Sequence, residues 1–74
     1  MNSRPTVGAY AKKGGGTNQV VVVDDLGNEH VILERGKNET PIVSASSTHA
    51  IITFEEANTE KLMYDFKTGQ LRGI

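Results

Sequence analysis

The hydrophobic and polar positions of this chain fall into short β-branched or alternating runs, which are typical of β-strands. Residues 19–24, QVVVVD, are apolar on both faces, as in a central strand that is covered on both sides. The turn-forming segment DDLGNE separates this run from residues 29–35, EHVILER. The two runs therefore predict a β-hairpin.

The second half of the chain shows the two-residue period of a strand more plainly. Within residues 48–56, THAIITFEE, the side chains of Ala50, Ile52 and Phe54 alternate with a second set, so we expect these three to face the core. Residues 61–66, KLMYDF, alternate in the same way, and the KTG turn that follows them predicts a second hairpin at the end of the chain.

These patterns predict an all-β fold, a small antiparallel sheet of four to six strands curled as an open barrel or roll. A flat sheet of this size could not hide its apolar face from water. The polar loop GKNETP precedes a short extended piece around Ile42 and Val43. A short helix near residues 55–62 is the alternative for that segment, although Asn58 and Thr59 are poor interior helix formers.

The N-terminal part of the chain differs in composition from the rest. The string AYAKKGGGT places two lysines and three consecutive glycines directly before the valine run. Three glycines in a row are costly to order, so residues 1–17 are predicted to form a flexible basic arm with a glycine hinge, and residues 18–74 a single β-rich domain. A phosphate-binding loop needs a strand, then glycines, then lysine and a helix, and the order here is reversed.

Charge is distributed unevenly along the 74 residues. The chain has a net charge of -1, but residues 1–23 carry three cations and no acid, whereas residues 24–74 carry five cations against nine acids. An acidic body suits a basic protein partner and argues against broad nucleic-acid binding. Because the chain has no cysteine and no apolar run long enough for a signal peptide or a membrane span, we expect a cytoplasmic protein with no membrane partner.

Candidate catalytic and metal-binding groups are few. A zinc site without cysteine would need both His30 and His49 with nearby carboxylates. The SASSTH string, residues 44–49, offers hydroxyls beside an imidazole, but an orienting third group and an oxyanion site cannot be identified from it. The sequence therefore predicts a protein that is not an enzyme and that holds no cofactor or metal.

Binding is the remaining class of function, and three charged segments are its candidate sites. The two acidic segments would attract a Lys/Arg-rich protein, and an exposed strand edge could add a partner strand. The basic arm, with its tyrosine, could instead stack on bases and neutralise phosphates, or clasp a neighbour in a virion as part of a structural subunit. The candidate residues are Arg4, Tyr10, Lys12 and Lys13 in the arm; Asp24, Asp25 and Glu29 at the first hairpin; and Glu55, Glu56 and Glu60 near the second.

In its length, its lack of cysteine, its basic N-terminus and its acidic β-rich body, the chain resembles the small host-takeover proteins of bacteriophages. It is similar in type to an RNA-polymerase-binding transcription inhibitor of a Xanthomonas phage. The resemblance lies in the character of the whole chain and assigns a role to no particular residue. It implies a non-enzymatic activity in the host bacterial cytoplasm, namely binding to host RNA polymerase, inhibition of transcription initiation and altered termination.

Overall fold

A computed structural model, which describes residues 4–57 and 59–74, consists of seven strands in two antiparallel sheets. The all-β prediction is confirmed, but the strands number seven rather than four to six, and they form two packed sheets rather than one. The first sheet has the order β1-β2-β3 and the second β4-β5-β6-β7. The strands are β1 (Thr6–Lys13), β2 (Thr17–Asp24), β3 (Glu29–Gly36), β4 (Pro41–Ala45), β5 (His49–Phe54), β6 (Lys61–Asp65) and β7 (Leu71–Gly73).

The valine run forms the central strand of the first sheet, as its composition predicts. Val20, Val21 and Val22 are all buried although they point alternately to the two faces of β2. The predicted hairpin with β3 is also confirmed, and Gly27 makes its turn at a φ of 85°, a conformation that favours glycine. Both outer strands of this sheet are irregular, because the register shifts at Val7 in β1 and at Ile32 in β3.

The second sheet is a continuous antiparallel series in which each strand pairs with the next along the chain. The alternation in β5 has the predicted register, since Ala50, Ile52 and Phe54 are buried. The second hairpin is also present, with Gly69 at a φ of 72° in its turn. The edge strand β4 begins at a proline, and the opposite edge strand, β7, has only three residues.

The core lies between the two sheets, where Val20 of β2 meets Ile52 and Phe54 of β5. Half-buried side chains from both sheets pack around these three residues, so each sheet covers the apolar face of the other. They are Ile32, Leu33, Val43, Leu62, Tyr64 and Leu71.

The N-terminal segment differs from the predicted flexible arm, because Thr6–Lys13 is strand β1 and pairs with β2 along almost its whole length. The three glycines connect these two strands as a tight turn rather than a hinge: the amide of Gly14 donates to the carbonyl of Thr17 over 2.8 Å, and Gly16 adopts a φ of 146°. The physical reason is that β2 would otherwise have an unpaired edge, and β1 supplies its hydrogen-bonding partner.

The alternative helix near residues 55–62 does not form, and no described residue is helical. The amide of Glu55 donates to the carbonyl of Thr40, and the carboxylate of Glu56 accepts hydrogen bonds from the amide and hydroxyl of Thr40. These contacts hold the start of the segment against the loop before β4. Residues 1–3, within the predicted arm, and residue 58, within the alternative helix, lie outside the described residues. Across the part of the chain that is described, no helix could span a membrane.

Truncation of Phe54 should destabilise the fold strongly, because its ring is buried between the sheets. We expect Phe54→Ala to lower the free energy of unfolding by about 3–5 kcal/mol, out of roughly 4–11 kcal/mol for a chain of this length. Urea denaturation followed by circular dichroism measures the change. If Phe54→Ala does not fold, Ile52→Val should still unfold cooperatively with a loss of about 0.5–1.5 kcal/mol. A Phe54→Ala variant as stable as the exposed control Ile42→Ala would contradict the assigned register.

Deletion of residues 1–13 tests whether β1 belongs to the folded domain. The deletion leaves β2 without one of its two neighbours, so we expect the truncated chain to lose its cooperative thermal unfolding transition. The exposed control Lys13→Ala should change the free energy of unfolding by no more than about 0.5 kcal/mol. A truncated chain with nearly the full-length unfolding midpoint would restore the interpretation of this segment as an arm.

Candidate partner-binding surfaces

The structure pairs the first predicted arm cation with a predicted turn acid. The Arg4 guanidinium donates two hydrogen bonds of 2.8 Å to the two carboxylate oxygens of Asp25. This ion pair joins the segment before β1 to the β2–β3 turn, and the amide of Asp25 also donates to the carbonyl of Pro5. The two charges are therefore neutralised within the chain.

A second ionic cluster lies on the outward face of the first sheet. The Tyr10 hydroxyl and the Lys12 ammonium both donate to the Glu29 carboxylate, the latter over 3.4 Å. The hydrogen bond from the tyrosine lowers the pKa of Glu29, and the same hydrogen bond raises the pKa of Tyr10. In register, Tyr10 and Val31 flank the buried side chain of Val21. Tyr10 is therefore part of a hydrogen-bonded sheet surface.

Asp24 is buried and serves the β2–β3 turn. Its carboxylate accepts hydrogen bonds from the amides of Leu26 and Asn28, both 2.9 Å long, and lies 3.2 Å from Nε2 of His30. Burial by itself raises the pKa of Asp24, but the hydrogen bonds from His30 and from the two amides outweigh it and lower that pKa to about 2. Asp24 therefore stabilises the turn as an ionised group.

Glu60 forms a third ion pair, with a residue that the sequence analysis did not single out. The Arg35 guanidinium lies 2.6 Å from the Glu60 carboxylate and 2.7 Å from that of Glu39, and it stacks over the Phe54 ring at 4.7 Å. These hydrogen bonds raise the pKa of Arg35, and the bond from Arg35 lowers the pKa of Glu60. The cluster covers one end of the core and joins β3 to the segment before β6.

The three remaining predicted residues lie near Thr40, which lines a cleft with Lys13 and is hydrogen bonded to the amide of Glu55 and the carboxylate of Glu56. Glu55 and Lys13 are exposed, and their side chains form no hydrogen bond or ion pair among the described residues. The carboxylate of Glu56 accepts hydrogen bonds from the amide and the hydroxyl of Thr40, and these hydrogen bonds lower the pKa of Glu56. Of the ten predicted residues, the structure thus assembles most into small intramolecular clusters rather than into one continuous charged surface.

The outward face of the second sheet is a surface that the sequence analysis missed. Cross-strand register aligns Ser44, Ile51, Met63 and Arg72 across all four strands, and Ile42 lies in the adjacent row. These residues alternate with the core side chains along β4, β5 and β6, so they point away from the first sheet. The signal in the sequence was the second alternating set of β5 and β6, in which Ile51 and Met63 are apolar.

The two central rows of this face carry two basic side chains, Lys61 and Arg72. Lys61 pairs in register with Thr53, and Arg72 pairs with Met63. Both cations are exposed, and neither forms an ion pair within residues 4–57 and 59–74. The nearby acid Asp65 accepts hydrogen bonds from the amides of Lys67 and Thr68, which lower the pKa of Asp65, with a smaller contribution from Arg72.

An open cleft of about 420 Å³ lies beside this face, between the segment before β1 and the ends of β5 and β6. Its lining includes His49, Met63 and Phe66. Nδ1 of His49 lies 2.9 Å from the Thr48 hydroxyl and 3.3 Å from that of Ser46, but the Ser46 hydroxyl also accepts from the amides of Thr48 and His49. Ser46 is thus bound into its own turn.

The two histidines are far from forming one metal site, because His30 lies in the first sheet and His49 in the second. The described residues contain no group of three or more His, Asp or Glu side chains arranged to hold a metal ion.

No protein-family model, curated protein or solved structure matches this chain.

Acid should destabilise the fold partly through Asp24. The pKa of Asp24 is lower in the folded chain than the value of about 3.9 in an unfolded one. Its contribution to the free energy of unfolding is therefore present above about pH 4 and is lost as the pH falls towards 2. We expect Asp24→Asn to lower the thermal midpoint at neutral pH and to make its decline between pH 4 and 2 shallower.

Circular dichroism melts at a series of pH values provide the measurement. The matched control is Asp25→Asn, which removes a neighbouring carboxylate from an exposed ion pair and should have a small effect. A wild-type and an Asp24→Asn chain with parallel pH profiles would show that Asp24 is not held as the structure describes.

Proposed function

We propose that this chain is a non-enzymatic protein-binding regulator. The observation that carries the proposal is the outward face of the second sheet, where Ile51 and Met63 are cross-strand partners and Ile42 lies diagonally opposite Ile51 on the neighbouring strand. Ile42 is 47% exposed, so the face presents aliphatic surface to solvent. Ile51 and Met63 beside it are half-buried, and neighbouring apolar side chains on an open sheet face mark interaction sites more often than single ones do.

Protein recognition through a sheet face fits the chain better than strand addition. The outer strands of the first sheet carry register shifts, β4 begins at proline and β7 is short, and each of these features interrupts an edge that a partner strand would need.

Nucleic-acid binding by the basic segment has less support. Arg4 is paired with Asp25, and Lys12 and Tyr10 both bind Glu29, so phosphates would have to displace these carboxylates. Lys13 is the one cation of that segment without such a contact among the described residues.

The phage resemblance makes bacterial RNA polymerase the first partner to test, in the cytoplasm of the host. We expect the immobilised full-length chain to bind polymerase purified from a Xanthomonas species saturably, with the same affinity after nuclease treatment, and to reduce promoter-dependent transcription. Biolayer interferometry and run-off transcription are the measurements. The thermally unfolded chain is the control for nonspecific adsorption.

Each outcome discriminates between the hypotheses. Saturable, nuclease-resistant binding supports protein recognition by this chain. Binding that disappears after nuclease treatment would favour the nucleic-acid alternative, and absence of binding would exclude polymerase as the partner.

A further inference from the structure

We propose that the outward face of the second sheet docks an acidic protein segment that also carries aliphatic side chains. This inference rests on the proposed function and adds the surface and the chemistry of the partner. The surface is defined by Ile42, Ile51, Met63, Lys61 and Arg72, and we refer to it as the aliphatic face.

The geometry of the aliphatic face suits an apolar contact at its centre. Ile51 and Met63 are direct cross-strand partners on β5 and β6, and both are half-buried, while Ile42 on β4 is more exposed. Directly opposed residues on one sheet face, such as Ile51 and Met63, lie about 5 Å apart, and Ile42 is the diagonal neighbour of Ile51, within reach of a long side chain, so the three form an aliphatic strip. An aliphatic group of a partner placed over this strip would remove it from water.

The charges that flank the strip specify the partner. Lys61 lies in the same row of the sheet as Ile42, and Arg72 follows Met63 in the next row, so a cation borders the strip on each row. Among the cations of the first sheet, Arg35 and Lys12 are already paired with carboxylates, and Lys13 lies at the end of β1, outside the second sheet. Carboxylates on a partner are therefore the groups that complement Lys61 and Arg72.

An acidic partner differs from the basic partner that the net charge of residues 24–74 suggests. Formal charge counts Asp24, Asp25, Glu29 and Glu60 as acidic surface, but each of them has a cationic or hydrogen-bonding partner in the fold. The local charge of the aliphatic face, which the net charge hides, is positive.

Two other occupants fit the aliphatic face less well. A second copy docked through the same face would bring the cations of both copies into one interface, and Asp65, the acid nearby, already holds its own turn. A single-stranded nucleic acid would meet two cations but neither tyrosine nor phenylalanine, because the outward positions of β4, β5 and β6 carry none.

Nuclear magnetic resonance titration of the isotopically labelled full chain tests the inference without knowledge of the natural partner. The probe is a short soluble peptide of leucine and glutamate, and the control probe has lysine in place of glutamate. We expect the acidic peptide to shift the amide signals of Ile42, Ile51, Met63, Lys61 and Arg72 saturably, and the basic peptide to leave them unchanged.

A charge-reversed variant tests the role of the two cations. Lys61→Glu with Arg72→Glu should weaken binding of the acidic peptide by about fivefold or more. The matched control, Lys13→Glu with Lys37→Glu, makes the same change in net charge at two exposed positions outside the second sheet and should bind like the wild type. Thermal melts of both variants verify that they fold.

The inference would be overturned if the acidic peptide caused no shifts, or caused them elsewhere. It would also be overturned by preferred binding of the basic peptide at the acidic segments, by shifts that follow dilution of the chain alone, or by equal loss of binding in both variants.

The same variants separate this inference from the proposed function. If wild type and charge-reversed variant bound polymerase equally, the surface would be wrong and the function would stand. If the peptide bound this face but polymerase did not bind, the surface would stand and that partner would fail.

Discussion

The contact between Val20 of the first sheet and Ile52 and Phe54 of the second is the interaction on which this fold depends. Neither sheet is large enough to hide an apolar face on its own, and the chain has no disulfide to compensate. The two sheets must therefore cover each other. Arg35 extends this contact at its edge, because its guanidinium covers the ring of Phe54 while two carboxylates hold it in place.

Most of the strands could be predicted because their apolar residues leave few alternatives. Four valines in a row require a strand covered on both faces, and Ile52 and Phe54 have the period of a half-buried strand. Strand β1 could not be predicted in this way, because its alanines, glycine and lysines have weak strand propensity of their own. It is a strand because β2 pairs with it, which is a tertiary effect that local composition does not contain.

The candidate sites were harder to predict than the fold. The sequence identifies acids and cations, but it does not show that Arg4 meets Asp25, that Lys12 meets Glu29 or that Arg35 meets Glu60, since each pair is separated by many residues along the chain. Each ion pair neutralises two charges that a count over the sequence would assign to the exposed surface. Lys61 and Arg72 lie beside aliphatic residues because of the strand register of the second sheet, which the sequence alone does not specify.

The irregular outer strands of the first sheet have a consequence for the behaviour of the protein in bulk. A regular exposed strand is a template on which further copies can assemble into fibres. The extra residues Val7 and Ile32 break the spacing of the backbone hydrogen-bonding groups on the two outer strands. The two interrupted edges therefore disfavour the addition of further copies to the first sheet, which leaves the sheet faces available for other molecules.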